Sequence, residues 1–115
     1  MIVNGETTLG ENIADNGGVR ETYRAYQKYV AANGPEPGLP GLEEFSSEQL
    51  LFLSFANMWC VDEGSTYFLR IFFDEHSPAQ FRVLGSLSNS PEFSETWKCP
   101  ANSTMNNAQN RCTLW

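Results

Sequence analysis

The chain has 115 residues, of which 41% are apolar, and its formal net charge is −7. This length permits one ordinary domain with a core of its own. The seven Lys and Arg residues are dispersed, which argues against a nucleic-acid surface, and no apolar stretch approaches the length of about 20 residues that spans a bilayer.

The N-terminal segment predicts a helix rather than a leader. The first ten residues, MIVNGETTLG, lack the basic and apolar regions of a signal peptide. Thr8 to Glu11 match the S/T-x-x-E capping box, so a helix is expected to begin there. Gly17 and Gly18 predict an interruption. Beyond it, the apolar face of a helix is expected from Val19, Tyr23, Tyr26 and Val30.

The middle of the chain predicts a loop and then a second helix. Gly34 and Pro35 end the first helical pattern, and residues 34–42, GPEPGLPGL, contain three prolines that exclude a helix or a central strand. Ser46 and Gln49 form a second possible capping box. Residues 50–60 are apolar nearly all round, which is typical of a helix buried on most sides.

The C-terminal half predicts further short elements. Residues 67–73 fit either a helix or a strand. Ser77-Pro78 and Ser90-Pro91 each predict an N-cap followed by proline at the first helical position. The tail, residues 99–115, is polar and irregular but ends in two apolar residues, which suggests that it is pinned to the body. The chain is therefore expected to be mainly α-helical with long, proline-rich loops.

Two carboxylates in the first helix are candidates for metal chemistry. Glu11 and Asp15 are four residues apart, so their side chains emerge on the same helix face, where two like charges favour a nearby cation. Glu is a common zinc ligand, and Asp one turn later can hold a zinc-bound His by its other ring nitrogen. Alternatively, Glu11 closes the capping box and Asp15 is solvated.

Two further side chains have both a functional and a structural interpretation. His76 is the chain's one histidine, and it is either a site residue or a hydrogen-bonded surface residue. Arg82 is either a ligand-binding residue or a helix cap or surface ion pair. With one histidine and no HExxH motif, the chain cannot assemble a zinc site of two histidines and one glutamate by itself.

The cysteines and one tripeptide favour a secreted or lumenal protein. Cys60, Cys99 and Cys112 are odd in number, so at least one lacks a partner within the chain. None lies in a C-x-x-C pattern. Asn102-Ser-Thr matches the acceptor pattern for N-glycosylation.

A resemblance adds to these observations. Val3 to Gly18, VNGETTLGENIADNGG, resembles the signature of the neprilysin and endothelin-converting-enzyme family of zinc metallopeptidases, which carries G-E-N-I-A-D at its third zinc ligand. The family's order continues through LPGL at 39–42, EQLLFLSFANMWC at 48–60, HSPAQFRVLGSLSNSPEF at 76–93, CP at 99–100 and C-x-x-W at 112–115, whereas 61–75 match poorly. The resemblance implies that residues 1–115 are the C-terminal helical part of a gluzincin-like catalytic domain, which is incomplete here.

The resemblance also implies roles for individual residues. Glu11 looks like the glutamate that binds the single zinc ion, and Asp15 like the carboxylate that orients a zinc-bound histidine. His76 resembles the histidine that donates to the tetrahedral oxyanion. Arg82 resembles the arginine that binds a backbone carbonyl of the peptide substrate.

The family's remaining machinery lies upstream of GENIAD. HExxH and its general base are absent from this chain, and the family's equivalents of Cys60, Cys99 and Cys112 pair with upstream cysteines. The resemblance therefore implies disulfide partners outside the chain. It also implies that the isolated chain has no peptidase activity and binds zinc weakly.

Two functions are expected, and the resemblance implies the first. The first is a fragment of a zinc endopeptidase that cleaves peptides on the amino side of hydrophobic residues. Its partners are peptide substrates and the missing N-terminal part, and it is secreted or is the ectodomain of a single-pass membrane protein. The alternative is a truncated, non-catalytic paralogue that acts as a binding or interaction protein.

Overall fold

The computed structural model describes residues 3–62, 64, 67–106 and 108–114. The helices are α1 (Leu9–Asn33), α2 (Ser47–Met58), α3 (Tyr67–Phe73), α4 (Ala79–Asn89) and α5 (Pro91–Thr96), followed by a 3₁₀ turn at Ala108–Asn110. No strand occurs in these ranges, which confirms the expected mainly α class, and 67–73 are helical. None of the helices in the described part combines the length and hydropathy of a membrane span.

Helix α1 runs without a break through Gly17 and Gly18, so the predicted interruption is wrong. Each glycine lowers helix stability by about 1 kcal/mol but leaves the hydrogen-bond ladder intact. The packing of this segment outweighs that cost, because Val19, the next residue, is buried in the core. The predicted end is confirmed, since Gly34 follows the helix with a φ of +84° that favours glycine.

The predicted capping box of α1 is also wrong, although the helix begins where it was expected. Thr8 occupies the N-cap position, but its side chain makes no capping hydrogen bond. The Thr8 hydroxyl instead donates to the Asn4 carbonyl and accepts from the Asn12 amide. The Thr8 hydroxyl thus bonds to the Asn12 side chain, one turn into the helix, in place of a backbone N–H of the first turn.

Helix α2 has the predicted capping box, but its sides are more exposed than expected. The Ser46 hydroxyl accepts from the Gln49 backbone N–H, and the Gln49 side chain accepts from the Ser46 N–H. Phe52 is buried, whereas Leu53 is 40% and Met58 67% exposed. The prediction of burial on most sides is therefore wrong for this chain by itself.

The two Ser-Pro pairs behave differently. Ser90 caps α5 by accepting from the Phe93 N–H, with Pro91 in the first turn, as predicted. At α4 the N-cap position belongs to Pro78, and Ser77 lies one residue outside the helix. The buried Ser77 hydroxyl donates to Asn12 of α1 instead, so a tertiary contact has replaced the predicted cap.

A small core joins α1, α2, α4 and α5. Val19, Phe52 and Leu87 are its buried apolar side chains within the described part of the chain. The Phe52 ring stacks on Tyr23 with ring centroids 5.6 Å apart and meets Phe93 edge-on at 5.4 Å. These aromatic contacts fix α2 and α5 against α1.

The tail is pinned mainly by hydrogen bonds. The Arg20 guanidinium of α1 donates to the Leu114 carbonyl, and the Cys112 N–H donates to the Asn89 side chain. Arg111 donates to the Ser88 carbonyl and the Ser94 hydroxyl. Trp115, the last residue of the expected C-x-x-W, lies outside the described residues.

Candidate active site

Polar contacts at both ends of α4 hold it against the first half of α1. The Ser77 hydroxyl lies 2.8 Å from Asn12 Oδ1, and the Asn89 amide lies 2.9 Å from Asn16 Oδ1. Between these contacts, α1 presents Asp15 towards Arg82 of α4. Residues that are more than 60 positions apart in sequence are thus brought to one face.

Asp15 and Arg82 form a two-pronged ion pair. Arg82 Nε and Nη2 each donate to one carboxylate oxygen of Asp15 at 2.6 Å. The side chain of Arg82 is only 13% exposed and that of Asp15 only 11%. Such paired, charge-assisted bonds fix both side chains. The alternative in which Asp15 is solvated is therefore wrong.

The environment keeps Arg82 cationic. The hydrogen bonds that Arg82 donates to Asp15 raise the pKa of its guanidinium, as do the negative charges of Asp15, Glu11 and Asp74, while burial opposes them. Because the pKa of Arg82 is raised in the folded chain, the stability that the Asp15–Arg82 pair contributes is complete below the ordinary pKa of arginine. It is lost only when the pH rises above the raised pKa. The Arg82 charge is thus constant throughout the neutral range.

His76 lies beside Glu11. Its Nδ1 is 2.8 Å from Asp74 Oδ1, which also accepts the His76 backbone N–H, and its Nε2 is 3.3 Å from Glu11 Oε2. With a proton on Nδ1, the neutral ring presents a lone pair at Nε2, whereas the protonated ring donates there. Asp74 therefore fixes the orientation of the imidazole ring, with Nε2 facing Glu11.

The oxygen and nitrogen atoms near Glu11 include ligand types that suit zinc. Within the described ranges, Glu11, Glu75 and His76 each offer a ligand atom within 4.8 Å of the others. Carboxylate oxygen and imidazole nitrogen both bind zinc. This donor set fits the metal that the resemblance implies. Sequence reasoning did not single out Glu75, because a glutamate beside a histidine is an unspecific signal. The alternative in which Glu11 closes a capping box has no support from the α1 cap.

An open cavity of about 260 Å³ lies beside this cluster. Two of the four predicted site residues, His76 and Arg82, line it, together with Trp59, Tyr67 and Asp74 among others. The Trp59 ring centroid lies 3.9 Å from Arg82 Cζ. Sequence reasoning placed Trp59 among the apolar residues of the second helix and missed this contact, for which the local sequence offers no signal.

None of the remaining predicted residues lines this cavity. Cys60, Cys99 and Cys112 are all free thiols, with Cys60 and Cys112 exposed. Asn102 is exposed, has a φ of +65° and donates its backbone N–H to the Asn106 carbonyl in a turn. Pairing of these cysteines with residues outside the chain, and a glycan on Asn102, stay predictions.

The sequence profile described as Peptidase family M13 matches residues 1–113. Neprilysin-11 of Caenorhabditis elegans is 49% identical over 114 residues, which cover 98% of this chain and 13% of that relative. Neprilysin of Oryctolagus cuniculus is 52% identical over 114 residues, covering 98% of this chain and 15% of that relative. The cryo-EM structure of the zinc metalloprotease ZMP1 of Mycobacterium tuberculosis, in its open state, superposes with a TM-score of 0.84 at 30% identity and covers 98% of this chain and 17% of that one.

Proposed function

The chain belongs to peptidase family M13, and we propose that it supplies the C-terminal part of the catalytic domain of a neprilysin-like zinc metalloendopeptidase. The observation that carries the proposal is the meeting of Glu11, Asp15, His76 and Arg82 at one face of the α1–α4 pair. The chain spans about a seventh of the relatives' length. The rest of the domain, including HExxH, would come from polypeptide outside it.

Glu11 is the proposed zinc ligand of this chain. When bound, zinc polarises the scissile carbonyl and lowers the pKa of its water. Asp15 is proposed to orient a zinc-bound histidine from outside the chain. Its two oxygens also bond Arg82, and each carboxylate oxygen has a second lone pair for such a histidine.

His76 is the proposed donor to the oxyanion of the tetrahedral intermediate. Asp74 holds Nδ1 at 2.8 Å, which leaves Nε2 as the nitrogen that faces the zinc ligand Glu11. In its protonated form His76 donates from Nε2 to charge that develops in the transition state. A change at His76 should therefore act mainly on kcat.

Arg82 is the proposed contact for a backbone carbonyl of the peptide. Its constant charge and its position at the cavity wall support this role. A change at Arg82 should act mainly on substrate binding, so unchanged KM and inhibitor affinity in Arg82→Ala would contradict it.

The proposal extends to substrate, location and covalent links. We propose cleavage on the amino side of hydrophobic residues, and an extracellular parent that is secreted or anchored by one membrane span. Cys60, Cys99 and Cys112 would pair with cysteines outside the chain, because none of the three pairs with another here. Asn102 is exposed at a turn, where a glycan has room.

A second candidate is a non-catalytic interaction protein. Large apolar side chains are exposed on α2 and α3, with Met58 at 67%, Phe72 at 74% and Phe73 at 84%. Exposed apolar patches favour association with another protein surface. This observation is equally expected of a part that normally packs against the rest of its domain.

A chimera separates the two candidates. This chain would replace the matching 114-residue segment of rabbit neprilysin, to which it is 52% identical. We expect zinc-dependent peptidase activity that is abolished by Glu11→Ala through loss of metal and is unchanged by Glu6→Ala, an exposed control on the same segment. A folded, zinc-loaded but inactive chimera would favour the interaction protein.

The isolated chain provides a complementary measurement. We expect no peptidase activity and weak zinc binding, because two of the family's zinc ligands and its general base are missing. A zinc Kd of about 1 μM or lower by titration calorimetry, with binding lost in Glu11→Ala, would contradict this expectation.

A further inference from the structure

Two side chains hold the Arg82 guanidinium from different directions. The Asp15 carboxylate meets its edge through two hydrogen bonds of 2.6 Å. The Trp59 ring meets its face, with Cζ 3.9 Å from the ring centroid. The carboxylate fixes the direction of the guanidinium within its plane, but a carboxylate alone permits the plane to tilt about the axis that joins the two groups.

Trp59 itself is placed by the end of α2. Its backbone N–H donates to the carbonyls of Ala56 and Asn57, which close the last turn. Its indole Nε1 is buried and has no hydrogen-bond partner among the described residues. The ring is thus held by packing and by its contact with Arg82, not by a polar anchor of its own.

The two contacts leave one nitrogen of Arg82 for a ligand. Nε and Nη2 donate to Asp15, whereas no hydrogen bond from Nη1 occurs within the described part of the chain. Trp59, His76 and Arg82 line the same cavity of about 260 Å³. A guanidinium whose tilt is fixed can present Nη1 to a carbonyl oxygen in that cavity without losing rotational freedom on binding.

We propose that Trp59 is a positioning residue, which fixes the plane of Arg82 so that Nη1 donates to a backbone carbonyl of the bound peptide. The peptide part rests on the proposed function above. A stacked cation–aromatic contact at a largely desolvated site is expected to change the equilibrium constant for peptide binding by about threefold to thirtyfold.

The position of Arg82 is tested on the ¹⁵N-labelled 115-residue chain by the NMR signal of its side-chain Nε–H. Stacking on Trp59 is expected to shift this signal upfield, and Trp59→Phe should keep a reduced shift. Trp59→Leu should remove the shift, whereas Phe55→Leu, one turn earlier on α2, should leave it in place. An Arg82 signal that is unchanged in both Trp59 variants would overturn the proposal.

The effect on the reaction is tested by a double-mutant cycle in the chimera. Trp59→Leu is expected to raise KM for a peptide with a hydrophobic residue after the scissile bond by about tenfold. We expect kcat to change much less, and Trp59→Phe to restore most of the affinity. In an Arg82→Ala background, Trp59→Leu should change KM by less than about twofold, because its action passes through Arg82.

The outcomes separate this proposal from the function on which it rests. An equal rise of KM in both backgrounds would mean that Trp59 contacts the peptide itself, and the positioning role would be overturned. An inactive chimera would count against the proposed function, whereas the Nε–H signal reports the position of Arg82 without any catalysis.

Discussion

At the scale of single residues, the site depends on carboxylates that hold Arg82 and His76. Asp15 holds Arg82, Asp74 holds His76, and Glu11 lies 3.3 Å from His76 and 3.9 Å from Arg82. The loss of Asp15 would leave the largely buried Arg82 guanidinium without its paired hydrogen bonds, and the loss of Asp74 would leave the His76 ring without its nearest partner. The two predictions at this scale follow from that dependence.

Breaking the Asp15–Arg82 pair should destabilise the chain. Asp15→Asn is expected to lower the free energy of unfolding in urea by about 3 kcal/mol, because a largely buried guanidinium loses its partner. Glu21→Gln, which breaks the exposed pair with Arg24, should cost less than about 1 kcal/mol. Equal costs for the two variants would contradict the interpretation of the buried pair.

Weakening the hold on His76 should slow the reaction rather than weaken binding. In the chimera, Asp74→Asn is expected to lower kcat by about tenfold or more with little change in KM, because the His76 ring loses its fixed orientation. Asp62→Asn, on an exposed residue of the preceding loop, is the matched control. A change confined to KM would argue against His76 as the oxyanion donor.

At the scale of elements, helix ends are set by short-range chemistry. The capping box of α2 and the Ser90 cap of α5 each involve partners three residues apart. Such contacts form as soon as the helix does, and tertiary neighbours are not needed. Ser77 departs from this rule because its buried hydroxyl donates to Asn12, 65 positions away. The Thr8 hydroxyl bonds to Asn4 and Asn12, which are close in sequence, and makes no cap.

The α2 cap offers a direct test. Ser46→Ala should lower the free energy of unfolding by about 1 kcal/mol, because the Gln49 N–H loses its acceptor. Ser47→Ala, at the first residue of the helix, should have little effect. A loss of the same size in both variants, measured by urea unfolding, would mean that the capping box contributes nothing specific.

At the scale of the whole molecule, the chain buries little and exposes much. Its described core has three buried apolar side chains, and large apolar residues of α2 and α3 are exposed. A core of this size supplies little stability by itself. The exposed faces are consistent with a part that packs against a larger domain, as its share of the relatives' length suggests.

Gly18 distinguishes an isolated part from an assembled one. A Cβ at Gly18 meets nothing within 4 Å in this chain, so Gly18→Ala should stabilise the isolated chain by about 0.5–1 kcal/mol. In the chimera the same change should lower zinc content and activity if a neighbouring helix packs closely there. Gly38→Ala, in the loop, should have neither effect. Increased stability with full activity would show that Gly18 does not serve close packing.

The helical class and the ends of most helices were predictable from the amino-acid sequence, and the resemblance supplied the four candidate site residues as a prediction. Caps at Ser46 and Ser90 and the stop at Gly34 were predictable because their partners lie within four residues. The family was recognisable because its motifs are long and keep their order.

The contacts of those residues were not predictable from the sequence, because they depend on how the helices pack. Asp15 and Arg82 are 67 positions apart in sequence, and the packing of α1 on α4 brings them into contact. No pattern among neighbouring residues predicts this contact. The stacking of Trp59 on Arg82 is equally non-local. Local hydrogen bonds depend on neighbours in sequence, whereas ion pairs and ring contacts of this kind depend on where whole helices come to rest, which packing alone determines.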